Sequence, residues 1–272
     1  MVGSRRPRGV TVKTPEQVEL MRAAGLVVAR TLERLVEAVR PGVTTGELDA
    51  ISAASIRDAG AIPSFLGYYG FPATICASVG AEVVHGIPSL TREVPEGVLL
   101  SIDCGAILDG WHGDAAVTVP VGECAPELLE LSRVTEQALW AGIEAVRAGG
   151  RLSDIGHAVE STVRPPGYGL LRDYTGHGIG RAMHEPPNVP NLAPRGPGKG
   201  MALEIGMVLA VEPMATLRSA DVEELDDGWT VVTRDGGQAA HWEHTVAVTP
   251  DGPWVLTAPD GGAARLGRTS AA

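Results

Sequence analysis

The chain has 272 residues, 44% of them apolar, and a net charge of −11. That is enough apolar material for a sizeable core, while the acidic balance excludes a nonspecific nucleic-acid binder, which needs a basic footprint. Cys76, Cys104 and Cys124 form no CxxC pair, so neither a disulfide framework nor a cysteine zinc site is expected, and a reducing, cytoplasmic setting fits. No run approaches the roughly 18 apolar residues of a membrane span, so no membrane association is expected.

Residues 1–12, with Arg5, Arg6 and Arg8, read as a flexible basic arm. Lys13 and Lys199 are the only lysines, and this preference for arginine among the basic residues reads as compositional bias. Thr14-Pro15-Glu16 then opens a helix, an N-cap followed by proline in the first turn. Met21, Ala24, Val28, Leu32, Leu35 and Val39 continue it at helical spacing until Pro41-Gly42. Thr44 with Glu47 forms a capping box for a second helix, which ends near Gly60. After the glycine and aromatic stretch FLGYYGFP come strands at 73–78, 97–107 and, past the Asp109-Gly110 turn, 112–121.

The pattern then restarts. A long helix is expected from Pro126 to Val146, and a shorter one, capped by Ser153, ends before Pro165. Strands follow at 206–214, 228–233 and 241–249, then PWVLT, and 259–272 read as a flexible tail. At an offset of 107, RPGVTTGELDAI (40–51) lies over RAGGRLSDIGHA (147–158), aligning Gly42 with Gly149 and Glu47 with Asp154. The order helix, helix, strands occurs twice. It predicts an α+β domain of two duplicated halves over 13–258, with helices on one outer face and a site between the halves, where pockets favour such junctions.

The segment DYTGHGIGRAMHEPPNVP (173–190) places His177 and His184 among Gly176, Gly178 and Gly180. Each glycine costs a helix about 1 kcal/mol against alanine. A strand that breaks into a glycine loop could instead turn both imidazoles toward one point. Asp103 is the only charge in GVLLSIDCGAIL, and Glu212 is alone in GMVLAVEPMAT. Buried carboxylates are paired or bound to metal. Asp114 and Glu243 each open a further apolar strand. Four such groups could not all stay ionised without cations, and oxygen ligands with one imidazole suit Mn, Fe, Co or Zn. Two metals about 3.5–4 Å apart can bridge a water and lower its pKa, which points to a hydrolase. This reasoning leaves phosphoester and peptide hydrolysis both open. His184-Glu185 is followed by two prolines, which excludes a helical HExxH protease.

The ordered segments VVHGIP, SIDCGAILDGWHGDAAVTV, GHGIGRAMHEPP, GMVLAVEPM and WEHTVAVT resemble type I methionine aminopeptidases from about Lys13 to Thr257. The resemblance implies their pita-bread fold, a pseudo-two-fold duplication of ααββ halves around an antiparallel sheet. It implies two divalent metal ions held by Asp103, Asp114, His177, Glu212 and Glu243, with Asp114 and Glu243 bridging. A metal-bridged hydroxide would attack the first peptide bond, and Glu212 would also act as general base. His184 would bond the substrate carbonyl oxygen, and His85 would touch the scissile nitrogen. The methionine pocket would be Phe65, Tyr68, Phe71, Cys76, Met183 and Trp229, where Phe65 and Met183 depart from the family's usual choices. His112, His157, His241 and His244 are left as structural or exposed. Nascent polypeptide N-termini at the ribosome would be the substrates of a monomeric enzyme. Competing readings are an X-Pro dipeptidase or aminopeptidase of the same fold, a non-catalytic peptide-binding module, and a dinuclear phosphoesterase. The phosphoesterase lacks any phosphate-cradling loop.

Overall fold

The computed structural model describes residues 9–193 and 200–267. The first half holds α1 (Pro15–Ala38), α2 (Thr45–Asp58) and strands β1 (Ile62–Pro63), β2 (Ile75–Val79), β3 (Glu82–Val84), β4 (Val98–Leu108) and β5 (Trp111–Val121). The second opens with α3 (Pro126–Glu144) and α4 (Leu152–Val163), followed by β6 (Gly169–Leu170), β7 (Gly176–Gly178), β8 (Glu185–Val189), β9 (Val208–Val211) and β10 (Met214–Thr216). It ends with β11 (Val222–Glu224), β12 (Val231–Thr233), β13 (Ala239–His241), β14 (Glu243–Thr249) and β15 (Gly252–Val255).

The helices form where their caps put them. Thr14 Oγ1 accepts from the Gln17 N–H and the Gln17 side chain accepts from the Thr14 N–H, closing the N-terminus of α1. Glu47 does the same for α2 from Thr44. In the second half the cap is Arg151, not Ser153, and the Asp154 carboxylate accepts from the Arg151 N–H at 2.8 Å. Thr44 and Arg151 are the same position of the duplication. Gly42 and Gly149 match as well: both sit at φ 81°, which a side chain rarely adopts, and both donate to a carbonyl of the strand-like segment that follows their helix pair.

A nine-stranded antiparallel sheet runs β1-β4-β5-β14-β9-β7-β8, with β2 also on β4 and β15 on β14. Each half contributes its own core: Leu35, Leu48, Ile56, Ile75 and Ile102 in the first, and Leu139, Ile143, Ile155, Leu209 and Val246 in the second. The α1 helix lies so close to β5 that a Cβ on Gly113 would stand 2.7 Å from the Gly25 nitrogen. This is the duplicated pita-bread architecture that the resemblance implied. No helix among the described residues is long and apolar enough to cross a membrane.

Two departures from expectation shape the site. The run 206–214 is not one strand. Pro213 has no N–H to give a ladder, so β9 stops at Val211 and the chain re-enters a smaller sheet, β13-β10-β6, as β10. The run 241–249 divides in the same way, leaving β13 at His241 and joining the large sheet at Glu243. The two crossings lie together, with the Trp242 N–H donating to the Pro213 carbonyl.

Parts of the segments expected to be flexible pack on the domain. Val10 is buried in the second-half core and Thr11 bonds Glu185, whereas Arg5, Arg6 and Arg8 lie outside the described residues. Residues 259–267 form turns docked on the domain. Arg22 donates to the Ala258 and Pro259 carbonyls, Arg265 pairs with Glu136, and Leu266 packs on the second-half core.

Candidate active site

The carboxylates are aligned by sheet register. Asp103 on β4 pairs with Ala116 on β5, and Ala116 pairs with Glu243 on β14. Asp114 lies two residues before Ala116, so it shares that face. Glu212 stands at the crossing just past β9. His177, on β7, donates from Nδ1 to the Gly178 carbonyl at 2.9 Å, which leaves Nε2 as an acceptor. That atom lies 3.5 Å from Glu212 Oε1 and 3.9 Å from Asp114 Oδ2.

Burial holds His177 down at about 4, with His184 adding to the effect, so the ring is neutral at pH 7. These approaches are therefore not ion pairs. They are spaced as ligand atoms around a common centre: Asp114, His177 and Glu243 each offer one atom within 4.8 Å of the others. Asp103 lies beside Asp114, to which it is hydrogen-bonded, rather than within this trio.

The same burial pushes the carboxylates the other way. Asp103 rises to about 7, chiefly through desolvation, against hydrogen bonds to Asp114 and from the Cys104 backbone. Desolvation also raises Asp114, aided by the charges of Glu243 and Asp103. Glu212 and Glu243 are raised by burial first and then by neighbouring carboxylates. Asp103 Oδ1, Asp114 Oδ1 and Glu243 Oε1 are buried without a hydrogen-bond partner. Each such group costs about 1–3 kcal/mol. Divalent cations fit this donor set: they would neutralise the cluster and give the orphaned oxygens a partner.

An apolar cavity of about 150 Å³ opens onto the carboxylates. Its walls are the six residues expected from sequence, Phe65, Tyr68, Phe71, Cys76, Met183 and Trp229, all of which come together. Phe71 meets Trp229 edge-on at 5.1 Å, and Ala73 and Ile87, not singled out from sequence, complete the cluster. Cys76 pairs in register with Asp103, which joins the pocket to the centre.

His177 and His184 do converge, with ring centroids 4.2 Å apart. Tyr68 Oη lies 2.7 Å from His184 Nδ1. When the hydroxyl donates, Nε2–H becomes a donor. His85 borders the same space with its backbone at φ 61°, a conformation that costs a non-glycine residue about 1–3 kcal/mol. The neighbouring chain holds it there: the Gly86 N–H donates to Ser78 Oγ, and the Gly86 carbonyl accepts from the Ala77 N–H. A second, polar cleft of about 410 Å³ shares His85, Asp103, His177, His184 and Glu212 with the first and leads away past Tyr174 and Asn188.

His241, read from sequence as structural or exposed, is buried at the site. It is 2% exposed, lines the second cleft, and points Nε2 at Glu212 Oε2 (3.8 Å) and Glu243 Oε2 (3.9 Å). Its position two residues before Glu243 was the available signal, since such residues share a face in an extended run. Lys13, to which the sequence assigns no role, also takes a definite place. It is buried and bonds Glu185 Oε2 at 2.9 Å, while Glu185 Oε1 accepts from the Arg181 and Ala182 N–H groups. His112, on Ser64, and His244, on Thr257, are structural as expected, and His157 is exposed.

Comparison with known proteins agrees with this geometry. The model of metallopeptidase family M24 matches residues 19–250. Methionine aminopeptidase 1 of Mycobacterium tuberculosis is 50% identical over 256 residues, covering 92% of this chain and 96% of the relative. The methionine aminopeptidase of Clostridium acetobutylicum is 48% identical over 248 residues, covering 91% and 98%. The crystal structure of methionine aminopeptidase from Rickettsia prowazekii superposes with a TM-score of 0.89 at 41% identity, covering 92% of this chain and all of that one. With the pocket, the carboxylate row and the paired histidines in place, the chain belongs to metallopeptidase family M24, as a type I methionine aminopeptidase.

Proposed function

We propose that the chain removes methionine from the free N-terminus of polypeptides whose second residue is small, using two divalent cations held by Asp103, Asp114, His177, Glu212 and Glu243. Asp114 and Glu243 are the shared ligands in this reading. Cobalt, manganese, iron and zinc all suit these donors. Bound there, the cations supply a Lewis acid for the carbonyl and a water of lowered pKa.

One observation carries the proposal: the apolar cavity ends on the carboxylate cluster. A chain that enters with its methionine side chain among Phe65, Phe71, Cys76, Met183 and Trp229 brings its amine to the carboxylates and its first peptide bond beneath His85 and His184. The pocket is flexible where methionine is, since Met183 adapts its shape. His184, held by Tyr68, donates from Nε2 to the carbonyl oxygen as charge develops. Glu212 takes the proton of the attacking water and passes it to the leaving nitrogen, and His85 orients that nitrogen. Nascent chains at the ribosome in the cytoplasm are the proposed substrates.

The test is a peptide series Met-X-Ala, with X from Gly to Trp, beside N-acetylated controls and Ala-Pro peptides. Rapid release of methionine for X = Gly or Ala, with blocked peptides resistant, is the expected result. Preference for X = Leu or Trp, or cleavage of acetylated peptide, would refute the specificity. Preference for Ala-Pro would favour an X-Pro enzyme of the same fold.

A further inference from the structure

We infer that His241 is a metal ligand of this chain, holding a divalent cation together with Glu212 and Glu243. The inference rests on the metal-centre reading above and adds a sixth side chain to it. Two trios of ligand atoms, each within 4.8 Å, occur among the described residues: Asp114, His177 and Glu243, and Glu212, His241 and Glu243. They share Glu243. Glu212 lies between two imidazoles, its Oε1 3.5 Å from His177 Nε2 and its Oε2 3.8 Å from His241 Nε2.

The local chain explains why His241 faces inward. His241 and Glu243 flank Trp242 at the crossing from β13 to β14, and the Trp242 side chain turns the other way, donating to Ser132 on α3. The His241 backbone is fixed on both sides: its N–H donates to Thr118 Oγ1 at 2.9 Å, and its carbonyl accepts from the same hydroxyl at 2.7 Å. His241 Nε2 is buried with no hydrogen-bond partner, which is unfavourable unless something occupies it. The polar cleft that His241 lines also contains Asp173 and Asn188 and gives a cation a way in. One imidazole in each trio shifts the donor set away from the all-oxygen chemistry that suits manganese, toward zinc, iron and cobalt.

The test uses the full chain, stripped with chelator and loaded stepwise with Co(II), and counts contact-shifted imidazole resonances by proton NMR. Two ligated rings at full loading, of which His241→Gln removes one while weakening one Co(II) site by more than about tenfold, is the expected result. A single ligated ring in the wild-type chain overturns the proposal and leaves the metal centre standing. So does a His241→Gln variant that binds Co(II) unchanged and alters only the preference for the residue after methionine. If the wild-type chain takes up no Co(II), the metal-centre reading itself fails. The wild-type spectrum decides the matter even if the variant folds poorly.

Discussion

Replacing Lys13 by methionine tests how the N-terminal segment supports the site. The Lys13 side chain is 4% exposed and its partner Glu185 11%, at 2.9 Å. Removing one partner of a buried ion pair costs about 3–5 kcal/mol. Glu185 would keep three donors, the Thr11 hydroxyl and the Arg181 and Ala182 N–H groups. These place Lys13→Met at the low end, about 3 kcal/mol. For a domain of this size each kcal/mol moves Tm by about 2–4 °C, so the melting temperature should fall by about 6–12 °C. Methionine fills the space of the lysine stem, so packing loss is small. Calorimetry at two scan rates would separate this from irreversible loss, and the double variant with Glu185→Gln should cost less than the two single changes added. Glu185 directly follows His184 and closes the turn at 181–185, so kcat should drop with metal content unchanged. A Tm within about 2 °C of wild type, the size of an ordinary surface change, would refute the clasp.

Three further outcomes follow from the site. Carboxylates whose folded pKa is raised bind more protons folded than unfolded between the two values, so the chelated protein should lose stability as pH rises from about 4 to about 7, the window set by Asp103, and divalent metal should remove that loss; urea midpoints across pH check the sign. His184→Ala should keep its metal and lose about 10²–10³ in kcat, the scale of an oxyanion donor, whereas His177→Ala should lose metal affinity; equal metal loss in both would contradict their division. A Cβ on Gly105 would stand 2.8 Å from Phe65 Cε1, so Gly105→Ala should press Phe65 into the pocket and raise KM for Met-Ala peptides, with metal binding unchanged.

Much of this was legible wherever one residue type had a single physical use. Thr14, Thr44 and their reciprocal partners marked helix starts because a cap satisfies backbone donors locally. Asp103 and Glu212 stood out because an apolar strand seldom carries a lone carboxylate. The offset of 107 survives as matched geometry at Gly42 and Gly149. What escaped depended on distant chain. Lys13 gains its meaning from Glu185, which is 172 residues away. Pro186 and Pro187 read only as a stop, yet they lie in β8, at the end of the large sheet, where a missing N–H is tolerated. Ser153 looked like the better cap than Arg151, but the Asp154 side chain rather than the cap residue closes α4. The inward place of His241 is not legible because nothing beside it in sequence shows that the chain changes sheets there.

Hydrolysis by metals that share Glu243 makes a single demand of the Glu243→Ala variant. The variant, folded by circular dichroism and supplied with excess Co(II) or Mn(II), should release no methionine from a Met-Ala peptide and should retain less metal than the wild-type chain at every concentration. Wild-type turnover by that variant in metal-replete buffer would show that Glu243 holds no metal that hydrolysis needs.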